Sequence, residues 1–144
     1  MPIHFNSKSK EWCWLSNFFL SPFVIQGKEY PTVEHWFQSQ KFSNVELQER
    51  IRTCGTAAQA KKLGRTRDAS FFDNWDSVKE TILYEGLKAK FHQNSVLQNL
   101  LLKTDSEELI EQSPWDSYWG AGRTGKGKNR MGFLLMKLRS ELSS

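Results

Sequence analysis

The sequence predicts an α+β fold, predominantly α-helical, built as one compact domain over residues 1–144 with a few short strands. Three observations predict it. Apolar residues recur at helical spacing in several segments, most of them opened by a capping residue. Strand-like runs are few and only about three residues long. The chain is 38% hydrophobic with ten Phe and six Trp, and a chain of this length buries ~68–70% of its unfolded surface in one core.

The elements follow in order. Ile3 to Phe5 reads as a short strand. Trp12 to Phe19 is dense in aromatics, with Ser16 and Asn17 set inside it. That stretch is either a core segment with a polar turn or a loop presenting polar groups from an apolar wall. Phe23-Val24-Ile25 and Lys28-Glu29-Tyr30 flank Gln26-Gly27 as a hairpin. Ser43-Asn44-Val45-Glu46 has a capping-box pattern and opens a helix to about Arg52. Thr56-Ala57-Ala58-Gln59 opens another, with Gly64 placed as a left-handed cap. Asp73 or Asn74 caps the longest helix, to about His92. Ser95-Val96-Leu97-Gln98 opens a helix through Lys103, and Glu108 to Glu111 reads as a strand. A last amphipathic helix starts near Asn129 and carries Met131, Leu134, Leu135 and Leu138 on one face.

The segment Tyr30–Phe42 combines structure with chemistry. Thr32 is a predicted N-cap. Val33, Trp36, Phe37 and Gln40 share one side of the helix, and Glu34, Gln38 and Lys41 share another. The polar stripe reads either as solvated surface, where such a pair contributes a few tenths of a kcal/mol, or as a site offering a carboxylate, an amide and an amine.

Net charge is +4 with a pI near 9.1, which fits an anionic partner and equally a solvated basic surface. Two cysteines are too few for a disulfide framework. The start Met1-Pro2-Ile3-His4 has no apolar signal region, and no run approaches the ~18 apolar residues of a membrane span. The chain is therefore expected to be soluble and cytoplasmic, without a membrane partner. The three histidines are scattered, no Cys/His spacing resembles a zinc site, and neither metal nor cofactor is expected.

Ser113–Asn129 holds four glycines, three aromatics and three basic residues. Gly120-Ala121-Gly122-Arg123-Thr124-Gly125 matches G-x-G-x-x-G, but no strand precedes it and too little chain follows for a βαβ unit. Gly120 to Lys126 matches G-x-x-x-x-G-K, yet Gly127 stands where a hydroxyl must reach magnesium, and the shifted frame places Asn129 there. Both nucleotide-loop readings fail. A glycine-rich basic loop entering a helix N-terminus is expected to offer free amides and a positive dipole end, which suits a phosphate or pyrophosphate, the plainer reading being a flexible surface loop.

Three stretches together carry a family resemblance. They are L-S-N-F at Leu15–Phe18, G-K-E-Y-P-T-V-E-H-W-F-Q-S-Q-K-F at Gly27–Phe42, and the segment Ser113–Arg139. Between them lie A-K-K-L-G-R (Ala60–Arg65), N-W-D (Asn74–Asp76) and K-A-K-F (Lys88–Phe91). The chain resembles the YbiA-like, or NADAR, family over nearly its whole length, with Ile82 replacing an expected Met. The resemblance implies a YbiA-like domain that cleaves the N-glycosidic bond between a nitrogen heterocycle and a phosphorylated ribose. Two substrate classes are implied: ribosylamino-pyrimidine phosphates of riboflavin biosynthesis, and ADP-ribose attached to guanine in nucleic acid. A non-catalytic ADP-ribose reader using the same residues is the competing expectation, and nonspecific nucleic-acid binding a third.

Bond cleavage develops positive charge on the ribose, so a carboxylate near it helps. Glu34 and Asp116 are the acid–base candidates. Lys41 is either a neutral amine forming a Schiff base or an electrostatic partner of a phosphate. Ser16, Asn17, Phe18 and Trp36 are candidate substrate contacts. Trp115 or Trp119 is expected to stack on the heterocycle, and Gly120, Gly122, Gly127 and Asn129 to line the phosphate.

Overall fold

The computed structural model describes residues 1–144. It has six α-helices, four three-residue strands and one 3₁₀ turn, so the mainly helical α+β expectation holds. The chain divides into two compact units, one of residues 1–16 and 94–144 and the other of residues 17–93.

In the first unit, strand β1 (Ile3–Phe5) pairs in parallel with β4 (Leu109–Glu111), Ile3 opposite Leu109 and Phe5 opposite Glu111. The 3₁₀ turn covers Cys13–Leu15. Helix α5 is Ser95–Lys103 and α6 is Arg130–Ser143. Phe5, Leu15, Leu101, Leu109, Met131 and Leu135 are fully buried. The heptad-like face read from Met131, Leu134, Leu135 and Leu138 is therefore the buried face of α6.

In the second unit, β2 (Phe23–Ile25) and β3 (Lys28–Tyr30) form the expected antiparallel hairpin. Gln26 and Gly27 both adopt positive φ, +53° and +77°, the requirement of a tight two-residue turn. Helix α1 (Val33–Ser39) is surrounded by α2 (Val45–Thr53), α3 (Ala57–Leu63) and α4 (Trp75–His92). A Cβ on Gly86 of α4 would lie 2.5 Å from the Trp36 ring, so glycine there lets α4 press onto α1. The Trp36 indole donates to Ile82 O at 2.7 Å and its ring meets Tyr30 edge-on. Trp36 thereby ties hairpin, α1 and α4 together.

Several boundaries differ from expectation. The caps of α2 and α5 are Asn44 and Asn94, which accept from the amides of Leu47 and Leu97, not Ser43 and Ser95. Asn and Ser compete closely as N-caps, and the neighbour with the right reach decides. Thr56 and Gln59 do form a reciprocal capping box. Gly64 is right-handed, φ −65°, so it is no left-handed cap. Its role is space, because a Cβ there would overlap the Gln38 side chain. Asn74 caps α4 by position but makes no side-chain cap bond. The short helix α1 ends at Ser39 with Gln40 as C-cap, which leaves Lys41 just past the helix and not on its stripe.

Candidate functional site

The α1 stripe is not solvated surface. All seven residues of α1 are buried, Glu34 at 7% exposure and Gln38 at 5%. Thr32 caps the helix as expected, accepting from His35 N at 3.1 Å. The same hydroxyl meets His35 Nδ1 at 2.8 Å, and Nε2 lies 3.0 Å from Cys54 O. Burial lowers the His35 pKa, and the ring serves as a strut between α1 and the end of α2.

Glu34 sits at the centre of a polar cluster. Its amide donates to Asn17 O at 3.1 Å, which pins the L-S-N-F segment to the first turn of α1. Its Oε2 accepts from Gln38 Nε2 at 2.7 Å. The Gln38 side chain lies in the space that the missing Cβ of Gly64 leaves open. Burial pushes the Glu34 carboxyl above the usual carboxylate range, opposed by the Gln38 hydrogen bond and by the charges of Lys61 and Lys41. Lys41 moves the other way. Burial lowers its pKa, Glu34 holds it up, and the charges of Arg65 and Lys61 lower it further. A buried carboxyl and a half-buried amine, shifted toward one another and coupled, form an arrangement suited to proton transfer and to nucleophilic attack by a neutral amine.

The walls are aromatic and basic. Lys41 Nζ lies 5.8 Å from the Phe37 ring centre, and Lys61 Nζ lies 6.0 Å from that of Phe18. The Lys41 carbonyl accepts from Phe72 N at 2.9 Å, and the rings of Phe71 and Phe72 are each 42% exposed. Two buried acceptors, Asn17 Oδ1 and Gln38 Oε1, have no hydrogen-bond partner. Glu34, Lys41, Asn17, Phe18 and Trp36 thus lie in the second unit, although Trp36 is engaged in the core contacts given above. Sequence reasoning missed Lys61, Arg65 and the Phe71-Phe72 pair as neighbours. The only available signal was the motif A-K-K-L-G-R.

The glycine loop belongs to the first unit. The expectation of free amides at the start of α6 is corrected. The amides of Asn129, Arg130 and Met131 donate to the carbonyls of Gly120, Tyr118 and Trp119 at 3.0–3.1 Å. These are the donors that a helix start otherwise leaves open. Asn129 is left-handed, φ +49°, and its side chain bridges to β4, with Oδ1 accepting from Glu111 N and Nδ2 donating to Leu109 O. Asp116 Oδ1 accepts from the amides of Tyr118 and Trp119. A Cβ on Gly127 would meet the Ala121 backbone and Gly120 O at 2.6 Å, and one on Gly120 would meet Ser113 Cβ at 2.9 Å. Gly122 has φ +71°. Trp119 stacks edge-on with Tyr118, while Trp115 is 85% exposed beneath the Arg123 guanidinium. Ser16 is buried at the end of the 3₁₀ turn. What the loop leaves open is a cleft of about 570 Å³ lined by His4, Gln112, Gly122, Arg123 and Thr124 among others. No three His, Cys, Asp or Glu side chains stand together as a metal site, and no helix is long and apolar enough to cross a membrane.

The family model described as the NADAR domain matches residues 4–143. The N-glycosidase YbiA of Escherichia coli (strain K12) is 44% identical over 141 residues, covering 98% of this chain and 88% of that protein. The riboflavin biosynthesis protein VVA0006 of Vibrio vulnificus (strain YJ016) is 36% identical over 141 residues, covering 98% of this chain and 38% of that longer protein. The NMR structure of the E. coli protein YbiA matches with a TM-score of 0.89 at 44% identity, covering 98% of this chain and 84% of that one.

Proposed function

Because this chain belongs to the NADAR domain family and is a hydrolase acting on N-glycosyl compounds, we propose that it cleaves the bond between a nitrogen heterocycle and a phosphorylated ribose, using Glu34 and Lys41. The single observation that carries the proposal is the buried Glu34 beside Lys41, with their pKa values moved toward each other. A ribosylamino-pyrimidine phosphate is the preferred substrate, supported by the similarity to a riboflavin biosynthesis protein. ADP-ribose on guanine in nucleic acid is the second reading, supported by the basic and aromatic residues around Lys41.

Two routes use these groups. In the covalent route, neutral Lys41 Nζ attacks C1′ and the C1′–N bond breaks. Its electron pair leaves with the base, which takes a proton from the protonated Glu34 carboxyl. The sugar ring then opens to an imine on Lys41, O4′ taking a proton. Water adds to the imine carbon, and the sugar departs as the amine is restored. In the direct route, the C1′–N bond breaks with its electron pair leaving on the base while the Glu34 carboxylate stabilises the developing oxocarbenium charge; water adds to C1′, Glu34 takes its proton and passes it to the departing base, and Lys41 pairs with the phosphate. The covalent route is favoured by the lowered Lys41 pKa, since only the neutral amine is a nucleophile.

The deciding experiment offers ribosylamino-pyrimidine phosphate and ADP-ribosylated guanosine in parallel and measures released base. Base from the first substrate alone supports the preferred reading, and base from the second alone replaces it. Binding of ADP-ribose with no base released from either makes the protein a reader and ends the catalytic proposal.

A further inference from the structure

Gly64 closes α3 in right-handed backbone, φ −65° and ψ −11°, a conformation open to any residue. Alanine there would restrict the unfolded chain and stabilise the fold if space allowed it. Space does not allow it. A Cβ on Gly64 would overlap Gln38 Oε1 and would lie 2.6 Å from Cδ and 3.1 Å from Cβ of the same side chain. Glycine is thus required at this position by a neighbour distant in the chain and not by the backbone.

The two ends of the Gln38 amide are held differently. Nε2 donates to Glu34 Oε2 at 2.7 Å, one turn earlier in α1. Oε1, the atom nearest the Gly64 gap, is buried and has no hydrogen-bond partner. The amide is therefore fixed by the bond to Glu34 and by the space over Gly64. A methyl placed in that space is relieved most easily by moving the end of one side chain, with α1 and α3 left where they are. Gln38 is buried, so its amide has little room to move and keep the Glu34 bond. The charged groups acting on Glu34 are Lys61 of α3 and Lys41 past the end of α1, and Arg65 acts on Lys41. Lys61, Gly64 and Arg65 lie together at the end of α3, so one short stretch supplies both the charges and the gap.

We propose that Gly64 and Gln38 are positioning residues for N-glycosidic cleavage: the missing Cβ of Gly64 seats the Gln38 amide, and the seated amide holds the Glu34 carboxyl in the orientation that the reaction uses. The proposal rests on the reading of Glu34 as the acid–base group. A hydrogen bond donated to a carboxylate favours its ionised form, and this one opposes the burial that raises the Glu34 pKa. Losing it should move the Glu34 titration to higher pH, together with the limb of the pH–rate profile that this carboxyl governs.

The test follows the carboxyl directly, by carbon NMR of the full chain labelled at the glutamate side-chain carboxyl. The resonance missing from Glu34→Gln belongs to Glu34. Two variants are compared: Gly64→Ala, and Gln38→Met, which keeps the volume and has no donor. Both should move the Glu34 titration to higher pH. The displacement should be the same at low and high salt, because salt screens the charge of Lys61 and not a buried hydrogen bond. With ribosylamino-pyrimidine phosphate as substrate, kcat should fall about tenfold in each, short of the ~10²–10⁴-fold expected for loss of the carboxyl, with KM within about twofold of wild type. In a Gln38→Ala background the methyl at position 64 has room, so Gly64→Ala should add nothing further. If Gly64→Ala does not fold, Gln38→Met carries the test alone. A Glu34 titration unmoved in Gln38→Met or in folded Gly64→Ala, or a Gly64→Ala effect of equal size with Gln38 and with Gln38→Ala, would overturn the proposal. A displaced titration with wild-type base release would overturn the positioning role together with the acid–base reading of Glu34. If the wild type releases no base from any substrate offered, it is the function reading that fails, and the NMR titration still decides whether Gly64 acts on Glu34 through Gln38.

Discussion

The glycine loop and helix α1 each admit a structural and a chemical reading, and they differ in how their polar groups are satisfied. The loop matches famous phosphate patterns on paper, yet its amides, Asn129 and Asp116 Oδ1 are engaged in closing the loop onto α6 and β4. The stripe of helix α1 reads equally as solvated surface, yet the helix buries the Glu34 carboxyl against an amide with an orphan oxygen, near a lysine displaced in pKa just past the helix end. Glycines and polar side chains that satisfy one another build structure. Polar groups buried without full satisfaction cost stability, and such cost concentrates where chemistry is done.

The strongest test of this contrast is Glu34→Gln. General acid–base groups contribute about 10²–10⁴-fold, so turnover should fall by that order while the melting temperature holds or rises, because a buried carboxyl is replaced by a neutral amide. Full activity in a folded Glu34→Gln protein removes Glu34 from the chemistry. Next comes Lys41→Arg. Guanidinium keeps the charge but stays protonated, so the covalent route predicts inactivity, with borohydride during wild-type turnover trapping sugar on the peptide that contains Lys41. An active Lys41→Arg enzyme with no trapped adduct leaves the direct route.

The loop should respond through stability. Asn129→Ala leaves Glu111 N and Leu109 O without their buried partner and should cost about 1–3 kcal/mol by denaturant titration. Gly127→Ala forces a methyl into the Ala121 backbone and should cost a similar ~1–3 kcal/mol. Loss of ribose 5-phosphate binding with unchanged stability in either variant would return the loop to a direct role in holding phosphate.

The smallest effect concerns pH, and its sign separates buried from exposed carboxylates. The folded pKa of Glu34 is raised, so its contribution is full below the unfolded value and is lost as pH rises through the folded one. The wild type should therefore gain on Glu34→Gln when melts are taken at pH 4 instead of pH 8. Glu49, held to about 2 by Arg52 and Lys28, behaves oppositely. Its contribution is present above the usual 4.5 and fades as pH falls toward 2. Glu49 is 37% exposed, so Glu49→Gln should change stability at pH 7 by under ~1 kcal/mol. A larger loss there than at Asn129 would break the ranking of buried over exposed polar groups.

Sequence alone determined what depends on neighbours in the chain. The hairpin at Gln26-Gly27, the Thr32 cap, the Thr56–Gln59 capping box and the apolar face of α6 all rest on contacts within four or five residues, where spacing is sufficient information. Sequence also marked Glu34 and Lys41 as a pair, through the stripe and the family resemblance. Only the tertiary structure decided that Glu34 is buried, because α2, α3 and α4 close around α1 and no local pattern records three separate helices arriving at one carboxylate. It likewise decided that Gly64 makes room for Gln38, that Lys61 and Arg65 act on the pair, and that the α6 amides are taken by the loop. Each of these is a contact between residues distant in the chain, and a buried group's charge, partners and space are set by what packs against it.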